Sequence, residues 1–140
     1  MKKIIRSLFA ILMLTIPTLA VAEIAVIVHP SAAFDSLTED DVARIFLGKS
    51  KSFPGGAQAV PINQNEGAAA RDKFNETICK KNASQYKAYW SQLVFTGKGT
   101  PPKDAGDDAA VKALIAANPN MIGYVDAGAV DASVKVVFKM

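Results

Sequence analysis

The chain has 140 residues with one histidine and one cysteine, and its 16 basic and 13 acidic residues give a formal net charge of +3. This length predicts one domain, because it is too short for two ordinary ones. A single cysteine, Cys79, excludes an intrachain disulfide, and a lone histidine excludes a zinc site or a Cys-His catalytic pair.

The first 22 residues have the pattern of a cleavable signal peptide. A basic start, Lys2 to Arg6, precedes a short apolar run, and the small residues Ala20 to Ala22 match a cleavage site. We therefore expect cleavage after Ala22, a single domain spanning residues 23–140, and a periplasmic or secreted location. Removing the three basic residues of the leader leaves 13 basic against 13 acidic residues, so nucleic acid is not an expected partner.

The sequence of the first half of the domain predicts two strands and one helix. Glu23 to His29 is a continuous β-branched run, typical of a strand covered on both faces. Thr38 is the expected N-cap of a helix whose first turn is acidic, and Gly48 suits the left-handed position after that helix. Pro54-Gly55-Gly56 indicates a turn before a short strand, Ala59 to Ile62.

The second half predicts three helices followed by two strands. The expected helices are Gly67 to Cys79, a Ser84-capped helix with a stripe of Tyr86, Tyr89, Trp90, Leu93 and Val94, and Asp107 to Ala117 with Val111, Leu114 and Ile115 buried. The expected strands are Met121 to Val125 and Val134 to Phe138. Strands that alternate with helices predict an α/β fold, in which a mixed or parallel sheet carries helices on its faces.

The candidate binding segment runs from Asn63 to Arg71, from the end of a strand through Gly67 into the start of a helix. Backbone N–H groups at such a turn combine with the helix dipole to favour an anion, and a glycine lets a ligand approach the backbone closely. The alternative is an ordinary strand-to-helix connection whose polar residues cap the helix.

Catalytic chemistry has little support in this sequence. His29 precedes a proline at the end of a strand and is interpreted as structural. The carboxylate pairs Asp40-Asp41 and Asp107-Asp108 fall in predicted first helical turns, where the dipole favours acidic residues. The aromatic stripe at residues 86–90 has the spacing of a core-facing helix rather than of a sugar-stacking platform. We expect no enzyme activity, no cofactor and no metal, and we expect Cys79 to be a small buried hydrophobe.

Several sequence words together resemble the phosphate-type substrate-binding proteins of ABC transporters. They are Leu37-Thr38, Arg44 to Lys49, Gly67 to Arg71, Tyr89-Trp90 and Ile122 to Val125. Full-length members of that family have two α/β lobes that close on the ligand. The resemblance implies that this chain is one lobe of a type II periplasmic-binding-protein-like fold.

By the same resemblance, the chain is a non-enzymatic solute-binding domain for phosphate or another small anion. The implied ligand-binding residues are Gln64, Asn65, Gly67, Ala68, Ala69, Ala70 and Arg71. The implied partners are the membrane components of an ABC transporter or a second copy that completes the cleft.

The binding turn departs from the family at three positions. Ala68 and Ala70 occupy the family's hydroxyl positions, and Gln64 occupies the place of an arginine. Hydrogen bonds to a charged group contribute about 1.5 to 3 kcal/mol each, so we expect weakened phosphate binding. The alternative function is a secreted or periplasmic interaction or assembly module that kept the fold and lost the anion.

Overall fold

A computed structural model describes residues 23–140, so the expected signal peptide and its cleavage site lie outside the described residues. The strands are β1 (Ile24–Val28), β2 (Val60–Asn63), β3 (Lys103–Asp104), β4 (Met121–Asp126) and β5 (Lys135–Lys139). The helices are α1 (Glu39–Phe46), α2 (Ala69–Thr77), α3 (Ala83–Phe95) and α4 (Asp108–Ala117), with a single 3₁₀ turn at Ala127–Ala129.

The five strands form one mixed sheet in the order β3-β2-β4-β1-β5. Strand β2 pairs in parallel with β3 and β4, whereas β1 pairs antiparallel with β4 and β5. The predicted α/β class and mixed sheet are confirmed. The two-residue strand β3 was not predicted. Its residues pair with Ile62 and Asn63, but its own sequence has no hydrophobic pattern that would indicate a strand.

Helices cover both faces of the sheet, and β1 is completely buried between them. On one face, Ile24, Val26 and Val28 pack with residues of α1 and α2, among them Phe46 and Phe74. On the other face, Ala25 and Ile27 pack with Val111 and Ile115 of α4. The continuous apolar run therefore forms a strand with two buried faces, as predicted.

Helix caps explain where the helices begin. Thr38 caps α1 by a reciprocal capping box with Asp41, as its sequence indicates. The prediction that Ser84 caps α3 is wrong, because Asn82 accepts from the Gln85 N–H and the Gln85 side chain accepts from the Asn82 N–H in return. Asn and Ser have nearly equal preference for the N-cap position, so the hydrogen bond from the Asn82 N–H to the Gln85 side chain decides that Asn82 and not Ser84 is the N-cap.

Two further predictions of burial need correction. Leu114 of α4 is 37% exposed, because only Val111 and Ile115 of that helix face the sheet. Val94 of α3 is 52% exposed, and its neighbour Phe95 is 92% exposed. Cys79, in contrast, is buried as predicted.

Candidate functional site

The predicted turn connects the end of β2 to the start of α2. Gly67 has φ +86°, and beyond its two chain neighbours no atom lies within 4 Å of the position that a Cβ would occupy there. Ala68 is the N-cap of α2 and makes no side-chain cap hydrogen bond. The backbone N–H groups of the first turn are therefore approachable from solvent and have no capping side chain in front of them.

The side chain of Gln64 is not directed to that turn. It is buried, and its Nε2 donates to Asp108 Oδ1 at 2.5 Å and to the Tyr124 carbonyl at 3.1 Å. Asp108 Oδ1 also accepts from the Asp126 N–H at 3.2 Å. The Gln64 amide therefore connects the end of β2 to α4 and β4.

Arg71 is held in place by neighbours on three sides. Its Nη1 donates to the Gln64 carbonyl at 3.0 Å and to Asp104 Oδ1 at 2.8 Å, and its guanidinium lies 5.6 Å from the centre of the Tyr86 ring. Only 14% of the side chain is exposed. An anion bound at the start of α2 would share this guanidinium with the Asp104 carboxylate.

The other predicted site residues are divided between the surface and the core. The exposed Asn65 accepts from the Ala68 N–H at 3.1 Å through its carbonyl. Ala69 is exposed, whereas Ala70 is half-buried and packs against the core. Gly67 and Arg71 line one edge of a pocket of about 690 Å³ between α2 and α3. The fold thus brings Gly67 and Arg71 to one opening.

A buried polar network behind the turn was not predicted from the sequence. Asn63 Nδ2 donates to the Tyr86 hydroxyl at 2.7 Å, and Asn63 Oδ1 accepts from the Tyr124 hydroxyl at 2.9 Å. The Tyr124 hydroxyl in turn accepts from the Gln64 N–H at 3.2 Å. The signal in the sequence was Asn63 itself, a polar residue that directly follows the apolar end of a strand.

Burial keeps both tyrosines of this network protonated. Desolvation raises the pKa of Tyr124 strongly, although the Gln64 N–H and the charge of Arg71 oppose the shift. Desolvation likewise raises the pKa of Tyr86, and the hydrogen bond from Asn63 is the main opposing effect. Each phenol is therefore a neutral group that fixes the end of β2 against α3 and β4.

Two features are absent from the part of the chain that the structure describes, residues 23–140. No group of three or more His, Cys, Asp or Glu side chains is placed to hold a metal ion. None of its helices combines the length and the apolar character that crossing a bilayer requires.

Three solved structures that resemble this chain are described as phosphate ABC transporter or phosphate transport proteins. A phosphate ABC transporter substrate-binding protein from Clostridium perfringens, solved with bound phosphate, matches 83% of this chain and 45% of its own, with TM-score 0.66 and 25% identity. An ABC-type phosphate transport receptor from Vibrio cholerae matches 83% and 46%, with TM-score 0.65 and 16% identity. PstS from Borrelia burgdorferi matches 83% and 47%, with TM-score 0.61 and 15% identity.

These matches confirm the resemblance and the fold that the sequence predicts. The chain spans a little under half the length of each of these proteins, which corresponds to a single lobe. No protein-family model and no curated protein sequence matches it.

Proposed function

We propose that this protein is an extracytoplasmic, non-enzymatic solute-binding domain that holds phosphate or a similar small anion at the start of α2. The observation that carries the proposal is the start of α2 at Ala69 and Ala70, whose backbone N–H groups have no capping side chain and lie beside Arg71. The phosphate bound in the Clostridium perfringens relative supports the same ligand class. The likeness to transport proteins supports binding over catalysis.

Three features predict that such binding is weak. Ala68 and Ala70 provide no hydroxyl donor, the Gln64 side chain is bonded within the fold, and Arg71 is paired with Asp104. We expect a dissociation constant for phosphate on the order of 1 mM, since most of the charge-assisted hydrogen bonds are missing. A second wall, from a transporter component or a second copy of this chain, would complete the cleft in this proposal.

The test is to restore the missing hydroxyls. We expect Ala68→Ser combined with Ala70→Thr to tighten phosphate binding at least about tenfold in isothermal calorimetry, because each added hydroxyl can donate to the anion. Ala109→Ser is the matched control, because it adds a hydroxyl to the first turn of α4, which has the Asp107 cap. The proposal is wrong if neither the wild type nor the double variant binds phosphate.

A further inference from the structure

The end of α3 carries the most exposed large apolar side chain among residues 23–140. Phe95 is 92% exposed and its neighbour Val94 is 52% exposed, whereas Leu114 of α4 is 37% exposed. Single exposed apolar residues are common on protein surfaces, but a contiguous apolar patch marks an interaction site. The exposure of Phe95 is therefore informative only if its surroundings are apolar as well.

Phe95 borders the pocket between α2 and α3, which has a volume of about 690 Å³. Val94, Pro101 and Ala83 line the same pocket, so the exposed apolar side chains are contiguous. The volume lies within the range of roughly 300 to 1,000 Å³ that holds small molecules, so it has room for an aromatic side chain. The surface around Phe95 thus combines a projecting ring with a pocket that can receive one.

The charged residues that line the pocket have opposite signs on its two sides. Asp72 lies on α2 and Glu66 precedes the same helix, whereas Lys87 lies on α3. All three are exposed, and none of them makes an ion pair with another residue between 23 and 140. Arg71, the fourth charged residue of the lining, is already paired with Asp104. The available charges are therefore negative along α2 and positive along α3.

Such a surface is complementary to a second copy of itself. In a dimer with two-fold symmetry, the same patch of both copies meets. A two-fold axis along the pocket places α2 of each copy opposite α3 of the other, so Asp72 of one copy faces Lys87 of the other. Residues 23–140 have equal numbers of basic and acidic side chains, so no net charge keeps two copies apart. A strongly acidic or strongly basic partner, in contrast, would meet a like charge on one side of the pocket.

We propose that a second copy of this chain covers the pocket, with Phe95 of each copy packed between α2 and α3 of the other and Asp72 of each copy facing Lys87 of the other. The pocket shares its edge at Gly67 and Arg71 with the start of α2. The second copy therefore also forms the second wall of the anion site, and this part of the inference rests on the proposed function. Pairing of two copies agrees with the length of the chain, which is a little under half that of the matched transport proteins.

Sedimentation velocity in phosphate-free buffer tests the dimer, with the protein expressed as the full 140-residue chain. We expect a reversible equilibrium between monomer and dimer with a dissociation constant on the order of 10 μM, as for a small, transient interface. Phe95→Ala should weaken the dimer at least about tenfold, because it removes the side chain that fills the opposing pocket. Leu114→Ala is the matched control, because it truncates an exposed apolar side chain of α4 that does not line the pocket.

Exchange of the charges tests the identity and orientation of the partner. Asp72→Lys places two lysines face to face and Lys87→Glu places two carboxylates face to face, so each variant alone should dimerise at least about tenfold more weakly. The two substitutions combined in one chain restore a pair of opposite charges, and we expect a dissociation constant within about threefold of that of the wild type. An equimolar mixture of the two single variants should form a heterodimer for the same reason.

Three results would overturn the proposal. The first is a wild-type protein that stays monomeric at concentrations on the order of 1 mM, which would leave the pocket to a small apolar molecule or to another protein. The second is a dimer that Phe95→Ala leaves intact. The third is a double charge variant that dimerises as weakly as the two single variants.

Addition of phosphate separates this proposal from the anion site. If the second copy completes that site, phosphate must tighten the dimer by the same factor by which dimerisation tightens phosphate binding. We expect a dissociation constant at least about fivefold lower in saturating phosphate than in sodium chloride of equal ionic strength. A dimer that passes the Phe95 and charge-exchange tests but does not respond to phosphate would support the interface and contradict the second wall of the anion site.

Discussion

Asn63 is the residue on which the candidate site depends most, because both ends of its amide are used inside the protein. Its Nδ2 bonds Tyr86 of α3, and its Oδ1 bonds Tyr124 of β4. Tyr124 also stacks on Phe74 of α2, with ring centres 4.1 Å apart and planes within 8°. A single side chain thus links three elements directly behind the turn that we propose to bind the anion.

Removing one hydroxyl tests the contribution of this network. We expect Tyr124→Phe to lower the free energy of unfolding by about 1 to 3 kcal/mol, because Asn63 Oδ1 and the Gln64 N–H lose a buried partner. Urea denaturation measures the change. Tyr89→Phe is the matched control, because the Tyr89 hydroxyl donates to the Leu47 carbonyl at a half-buried position where water can replace it. Equal losses in the two variants would contradict the role of the network.

The sequence predicted only part of the geometry of the candidate site. The glycine at position 67 predicts an approachable backbone, and Gly67 is open as expected. The destination of the Gln64 side chain was not predictable, because its partners Asp108 and Tyr124 are 44 and 60 residues away. The interpretation of Tyr86 and Trp90 as core residues is confirmed by their burial, but spacing along a helix does not indicate whether their polar atoms are paired.

Among the elements, α1 and α3 end in the same way but in different surroundings. Each is followed by a glycine at positive φ, Gly48 at 72° and Gly97 at 68°. A Cβ at Gly48 would lie 2.8 Å from the Trp90 ring, whereas one at Gly97 would meet nothing within 4 Å. The glycine after α1 is therefore required both by its backbone conformation and by the ring that packs on it.

Substitution of these two glycines distinguishes the cost of backbone strain from the cost of steric overlap. We expect Gly97→Ala to lower the free energy of unfolding by about 1 kcal/mol, from the left-handed conformation alone. Gly48→Ala adds a clash in a packed region, and we expect a total loss of about 2 to 4 kcal/mol and a shifted Trp90 emission maximum. Thermal unfolding compares the two variants. If Gly48→Ala costs no more than Gly97→Ala, the proposed packing of Trp90 on α1 is incorrect.

Elements with local signals were predictable, and elements that depend on distant partners were not. Thr38 predicts its helix because the cap and the acidic first turn are neighbours in sequence. Strand β3 was missed because Lys103 and Asp104 are exposed and pair only with β2. The sheet order also lacks a local signal, since β4 lies between β1 and β2 although both precede it by about 60 residues or more.

For the whole molecule, a buried thiol and two buried phenols predict a loss of stability at alkaline pH. Burial raises the pKa of Cys79 from its usual 9.0 to about 12, and it also raises those of Tyr86 and Tyr124. The folded state therefore holds these protons more tightly than the unfolded state does. The free energy of unfolding that these bound protons contribute is fully present below pH 9. It decreases as the pH rises towards 12, by about 1.4 kcal/mol per pH unit for each group that has ionised in the unfolded state.

Cys79→Ala provides the control for this pH dependence. Between pH 9 and 10, the free energy of unfolding of the wild type should fall more steeply than that of Cys79→Ala, because the thiol, with its usual pKa of 9.0, ionises in the unfolded state before the tyrosines do. Above pH 10 both proteins should lose stability through the tyrosines. Urea denaturation from pH 7 to 11 measures both slopes, and parallel curves between pH 9 and 10 would contradict the assignment to Cys79.

The sheet order has a further consequence at its two outer strands, where hydrogen-bonding groups could recruit another chain. One outer strand, β3, is only two residues long. The other, β5, begins and ends with lysine, and its Val137 carbonyl already accepts from the Leu37 N–H at 2.9 Å. Short, charged or covered edges oppose aggregation by strand addition. The lobe is thus protected against polymerisation through its sheet, and any self-association should use side-chain surfaces such as the one around Phe95.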